Sequence, residues 1–224
     1  MGIVILIMSV PGTCRADDCG CNDVRDIRNR ICEAKAAISE YERQIYRLKS
    51  KEQKDGKPYL LTKERYEGFM QPCVQEALDS VIDEGATRST AKTLNNCTIE
   101  VFDWPKKPTA CVRKALLTHE AIHQQVCRKF VDVTSWEAGF ISHFASIFKE
   151  FREGMSMMDM AKEEIVAYQQ ELGFLRMQLL QLSERCPKTM FTVQRPDGQR
   201  EFTLEFCPPP RPRPSPEESA CKVR

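Results

Sequence analysis

The residues of this chain best equipped for chemistry are His119, Glu120 and His123, in the run Thr118-His119-Glu120-Ala121-Ile122-His123-Gln124. On a helix, positions i and i+4 lie one above the other, so the H-E-x-x-H form sets two imidazoles side by side with a carboxylate next to them. That is the donor set of a zinc site with its own general base: Zn2+ brings the pKa of a water to about 7, and Glu120 takes the proton released. At this chain's His and Glu frequencies the pattern arises by chance in on the order of one in several hundred such sequences. Two buried histidines that merely hydrogen-bond to backbone groups are the weaker account.

The elements that must position these groups follow from periodicity. The motif falls on a helix expected over residues 110–130, whose apolar stripe is Val112, Leu116, Val126 and Phe130. At 100° per residue, His119 and His123 lie within about 20° of the centre of that stripe and so point inward, where an imidazole needs a partner. A second helix, expected from Asp159 to about Cys186, presents Ile165, Tyr168, Leu172, Leu175, Leu179 and Leu182 on one face. Glu164 lies about 50° from the middle of that face, whereas Glu163 lies about 150° away and is expected to face solvent. Glu164 is therefore the expected third metal ligand beside His119 and His123. Tyr168, one turn beyond Glu164, and His143, the remaining histidine, are the two candidates for the donor that a developing oxyanion requires. His143 is also the rival third ligand.

Elsewhere the chain reads as helices with a few short strands. Val24, Ile27, Ile31, Ala34, Ile38, Tyr41, Ile45 and Leu48 mark a long amphipathic helix that ends in the loop of Gly56 and Pro58. A further helix is expected over residues 62–82, a polar segment over 85–96, and a strand over 97–102 that could hold an extended substrate by backbone pairing. Residues 131–158 are strongly apolar and suit core packing or the lining of a substrate cleft. Residues 191–195 and 199–206 flank Asp197-Gly198 as a hairpin, and residues 208–216 form a polyproline tail. The expected fold class is mainly α with a small β component (α+β), stapled by disulfides. Its expected divisions are a leader (1–16), an N-terminal helical region packed on the core (17–96), a catalytic core (97–186), a hairpin (187–207) and a Pro-rich tail (208–224).

Composition narrows the partners and the compartment. Lys plus Arg number 33 against 32 Asp plus Glu, so no net field favours nucleic acid. The 11 cysteines include no C-x-x-C pair and are scattered over the chain, which argues for disulfides in an oxidising compartment instead of a cysteine metal site. Ile3–Val10 is an apolar run too short to span a bilayer but suited to a signal sequence cleaved after Ala16, and no transmembrane span is expected. Loss of Cys14 in that way leaves an even number for pairing. Cys111 and Cys127 stand roughly 24 Å apart along one helix, too far to bond each other, so each is expected to tie the motif helix to another segment. Cys186 and Cys207 are expected to close the open end of the hairpin, and Cys221 to pin the tail. Asn96-Cys97-Thr98 also fits an N-glycosylation sequon.

Residues Thr118–Gln124, followed by Glu164-Ile165-Val166-Ala167-Tyr168, resemble the H-E-x-x-H plus E-x-x-A-Y arrangement of gluzincin-type metallopeptidases. Within that group the chain is most similar to small zincin domains of bacterial secreted toxins, including those of type VI secretion spikes and polymorphic toxins. The resemblance spans roughly residues 97–186. It implies a zincin-like core, His119, His123 and Glu164 as zinc ligands, Glu120 as base and a peptide or protein substrate. A toxin role further implies a cognate immunity or inhibitor protein, and a secreted or periplasmic site of action. The alternative from a different class is a non-enzymatic, disulfide-stabilised helical interaction protein whose metal is structural.

Overall fold

A short 3-10 turn, Cys21–Asp23, leads into α1, Val24–Asp55. The computed structural model describes residues 19–62, 65–66, 70–81, 88–94, 96–103, 106–138, 155–195, 197–212 and 221, and the side chains of 129–138 are not among what is described. The leader, Cys14, His143 and most of the apolar stretch 131–158 therefore lie outside the described residues. Along α1 the apolar residues at three- and four-residue steps are all turned inward, with Ile27 and Ile31 wholly removed from water. Each such burial contributes about 1.5–3 kcal/mol. The helix stops at Gly56, whose φ of 66° permits the left-handed cap in which its N–H reaches Glu52 O at 2.9 Å.

Helix α2 covers Gln71–Asp79 within the expected 62–82, and the described residues ahead of it are helical too, with Tyr66 N donating to Thr62 O at 2.9 Å and Met70 in helical backbone. Pro72 has no N–H to give and crowds the carbonyl four residues back, which fits the π-helical irregularity at Met70 just before Gln71. The segment expected to be merely polar holds β1, Ala91–Thr93, which pairs antiparallel with β2, Ile99–Val101; Thr93 stands opposite Ile99. Helix α3, Ala110–Ala138, carries the H-E-x-x-H run and continues past the expected end at Phe130. Helix α4, Met157–Arg185, begins two residues before the expected Asp159, because Ser156 caps it by accepting the N–H of Met158. Just ahead of α4, Leu61 N donates to Met155 O (2.7 Å) and Met157 N to Tyr59 O (2.9 Å), which anchors the start of the helix. A 3-10 turn, Lys188–Phe191, precedes the expected hairpin of β3, Thr192–Gln194, and β4, Arg200–Phe202, with Gly198 at φ 82° in its turn.

The described fold is thus mainly helical with two small antiparallel sheets. Helix α4 is its spine, packed between α1 on one side and α3 on the other. One buried cluster joins Val24, Ile27 and Ile31 of α1, Ala115 of α3, Leu175, Leu179 and Leu182 of α4, and Phe191. A second joins Ala37, Tyr41 and Leu48 with Met70, Val74 and Leu78 and with Met157, Met160 and Ala161. Tyr168 packs against both, so the middle of α4 lies where the two clusters meet. No described helix is long and apolar enough to cross a membrane.

Five disulfides hold this arrangement: Cys19–Cys111, Cys21–Cys186, Cys32–Cys207, Cys73–Cys221 and Cys97–Cys127. Cys111 and Cys127 each tie α3 to another segment, and Cys221 pins the tail to α2, as expected. The expected Cys186–Cys207 bridge does not form. Arg28 of α1 donates to the carbonyls of Leu204, Met190 and Thr203, and this folds the hairpin onto α1, bringing Cys207 to Cys32. Cys186, at the end of α4, meets the N-terminal turn at Cys21 instead. A non-reducing digest read by mass spectrometry should return these five pairs. Replacing Cys21 and Cys186 by serine, which opens a loop of 165 residues, should cost about 2–5 kcal/mol in denaturant unfolding.

Candidate metal centre

Helix α3 presents two neighbouring stripes, and the site exists because they face different elements. His119 and His123 lie on the stripe that packs on α4; Glu120, one residue and 100° further round, belongs with Gln124 and Cys127 on the stripe facing the β1–β2 hairpin. The three H-E-x-x-H side chains are all buried, at 6%, 7% and 7% exposure. Helix α4 runs antiparallel to α3 and answers with Glu163, Glu164, Tyr168 and Glu171.

The structure brings His119, His123 and Glu164 together. The two Nε2 atoms are 3.2 Å apart, and the Glu164 carboxylate oxygens lie 3.6 Å from His119 Nε2 and 3.7 Å from His123 Nε2. A tetrahedral zinc with bonds of 2.0–2.2 Å separates its ligand atoms by roughly 3.3–3.5 Å, so the spacing suits that ion. The tautomers agree. His123 Nδ1 is 2.6 Å from Glu163 Oε1, and a carboxylate accepts, so Nδ1 carries the proton and Nε2 keeps its lone pair. His119 Nδ1 lies 3.2 Å from Glu171 Oε2, though off the ideal hydrogen-bond line. The two Nε2 atoms thus face each other at 3.2 Å beside the Glu164 carboxylate, an arrangement that suits a cation between them.

Electrostatics point the same way. Burial by itself would lower the pKa of His119, but the hydrogen bonds and charges of Glu164 and Glu171 outweigh it and raise it to about 9. Burial likewise opposes charge on His123, and Glu163 and Glu164 again prevail and raise its pKa. The pocket is built to stabilise positive charge at the imidazoles. Behind it, Glu171 is completely buried; burial would raise its pKa, but Arg30 and His119 hold it down at about 2. Arg30 reaches both Glu171 oxygens, one of them at 3.0 Å, and also donates to Glu33 at 2.8 Å. Burial disfavours the Arg30 charge, yet these two carboxylates raise its pKa well above the usual value.

The remaining candidates separate. Tyr168 is at the site, its ring edge-on to His119 with centroids 4.3 Å apart. Burial, reinforced by Glu164 and Glu171 and opposed by Arg30, raises the pKa of its phenol and keeps it protonated. His143 lies outside the described residues. Glu163 does not face solvent: its side chain is only 15% exposed and engages His123. The 150° offset misled because α4 is covered on two sides, by α1 and by α3, so its buried arc is wider than one stripe. Sequence reasoning also missed Glu171, Arg30 and Thr93. An acid between Tyr168 and Leu172 on an apolar face was the visible signal for Glu171; Thr93 had none.

No family model, no curated protein and no solved structure matches the chain.

Because Glu163 fixes the His123 ring through Nδ1, Glu163→Gln should leave the far-UV spectrum unchanged and, in competition with a chromophoric chelator, lower affinity for added zinc about 10–100-fold. Glu171→Gln strips a buried cation of its main partner and should cost about 3–5 kcal/mol in chemical unfolding.

Proposed function

We propose that the protein is a zinc-dependent hydrolase of peptide bonds, a gluzincin-like metallopeptidase whose zincin-like core lies in residues 97–186. The observation that carries this reading is the convergence of two Nε2 atoms and the Glu164 carboxylate at separations of 3.2, 3.6 and 3.7 Å, with Glu120 beside them on the same helix. Among the described residues these three are the ligands that gather there, whereas a structural zinc site is closed by four protein ligands. That favours a site with a position left for chemistry over the non-enzymatic alternative.

When bound, zinc supplies Lewis acidity, polarising a carbonyl and acidifying water at neutral pH. Glu120 is the group that accepts the proton of the attacking water and passes it to the leaving amine. Its place on the stripe next to the histidines, where it is bonded to Thr93, would leave it free of ligation. Tyr168, its phenol held protonated on the same face of α4 as Glu164, is the donor for the oxygen on which charge develops. Glu163 holds His123 in the tautomer that ligation needs, and the Glu171 carboxylate faces Nδ1 of His119. Five disulfides suit an oxidising compartment, so the proposed place of action is secreted or periplasmic. Together with the toxin-like motif pair, this fits an antibacterial effector that acts on a peptide or protein and is countered by an immunity or inhibitor protein.

The test pairs metal content with hydrolysis of fluorescein-labelled casein. Glu120→Gln should keep its zinc and lose roughly 10²–10⁴-fold in rate, while His119→Ala should lose the zinc itself. Undiminished hydrolysis by Glu120→Gln would sink the peptidase reading.

A further inference from the structure

A second device bears on the same site from the other side of α3. Three points sew the β1–β2 hairpin to the stripe that holds Glu120. Thr93 Oγ1 donates to Glu120 Oε2 at 2.8 Å; Gln124 Nε2 donates to Cys97 O at 2.7 Å; and Cys97 is bonded to Cys127. Glu120, Gln124 and Cys127 are one turn apart in succession, so the hairpin runs along that stripe as a splint.

The hairpin is itself tightly determined. Leu94 N donates to Thr98 O (2.8 Å) and Cys97 N to Leu94 O (2.9 Å), and Asn96 Oδ1 accepts from Thr98 N (3.1 Å) and Thr98 Oγ1 (2.6 Å). Cys97 takes φ +60°, the left-handed region that a non-glycine residue adopts only under constraint. A strained turn is thus kept in one shape, and Thr93 is kept in one place. Thr93 is 8% exposed and Glu120 7%, so water does not replace this bond readily. Glu120 O also lies near the hydroxyl, at 3.2 Å, but a hydroxyl has one hydrogen and the carboxylate is both nearer and the stronger acceptor.

We propose that Thr93 is a positioning residue for the general base: it holds Oε2 of Glu120 and thereby presents Oε1 as the oxygen that takes the proton, with the Cys97–Cys127 bridge keeping the splint on the helix. This rests on the reading of Glu120 as the base. A carboxylate free to turn would spend only part of its time in the productive orientation. Loss of one charge-assisted bond of this kind costs about tenfold in rate.

The experiment compares T93V, which keeps the shape and removes the donor, with T93S, which restores it, in the otherwise intact protein. Crystal structures of both are determined metal-free and zinc-loaded, alongside kcat and KM on fluorescein-labelled casein. In T93V the Glu120 carboxylate should leave its present orientation, zinc content should stay at the wild-type level, and kcat should fall about tenfold with KM unchanged; T93S should return the carboxylate and most of kcat. Replacing Cys97 and Cys127 by alanine should displace Thr93 and Glu120 together. A carboxylate unmoved in T93V, or T93S behaving as T93V does, overturns the proposal whether or not casein is cleaved. Wild-type protein that cleaves nothing while T93V still reorients Glu120 counts instead against the peptidase reading and leaves the positioning role standing.

Discussion

The interaction on which the structure turns is the buried charge chain from Glu33 through Arg30 and Glu171 to His119. A carboxylate wholly removed from water must be paired, and Glu171 is paired on both sides, by an arginine of α1 and an imidazole of α3. Because Glu171 belongs to α4, this chain links the three long helices through one atom group. Moving any of the helices by a turn would leave a buried charge without its partner, so the register of all three is tied to the orientation of His119. The placement of His119 and the packing of the core are therefore specified by the same contacts.

Around that chain the molecule divides its labour by helix face. The stripe of α3 turned to α4 carries the proposed ligands, with Glu163 bonded to His123 Nδ1 and Glu171 facing His119 Nδ1. The adjacent stripe carries Glu120, the proposed base, held by the small hairpin through Thr93. A single helix can hold the two sets apart, since neighbouring residues differ by 100°. The two sets of supports come from different parts of the chain, so each can fix its own side chain independently of the other.

Much of this was visible in the residues. The i, i+4 spacing of His119 and His123, the inward face they share with Leu116, and the stripe angle of Glu164 all follow from one period, and the helices themselves were legible for the same reason. Periodicity failed where a helix has more than one neighbour: Glu163 lies off the main stripe of α4 yet is covered because α1 and α3 flank it together. It failed again for β1, whose three residues bury only Thr93 and offer too few positions for an alternation to show. Disulfide pairing was not legible at all, since which cysteines meet depends on how Arg28 draws the hairpin onto α1 and not on spacing along the chain.

The bridges also bear on the proposed metal site. Cys19–Cys111 and Cys21–Cys186 join the beginnings of α1 and α3 to the end of α4 at one end of the helical layer, and the pairing of residues 59–61 with 155–157 secures the start of α4 at the other. His119 lies eight residues into α3 from Cys111, about 12 Å along the helix, so the ligands sit on a segment already held near both its ends. A small domain without such staples must gain its fold from the metal, and its site is absent until the ion arrives. Here packing, charge pairs and covalent links place the donors first. An ion bound there would have little chain entropy to overcome, and this preorganisation is what the proposed catalytic reading asks of the three donors.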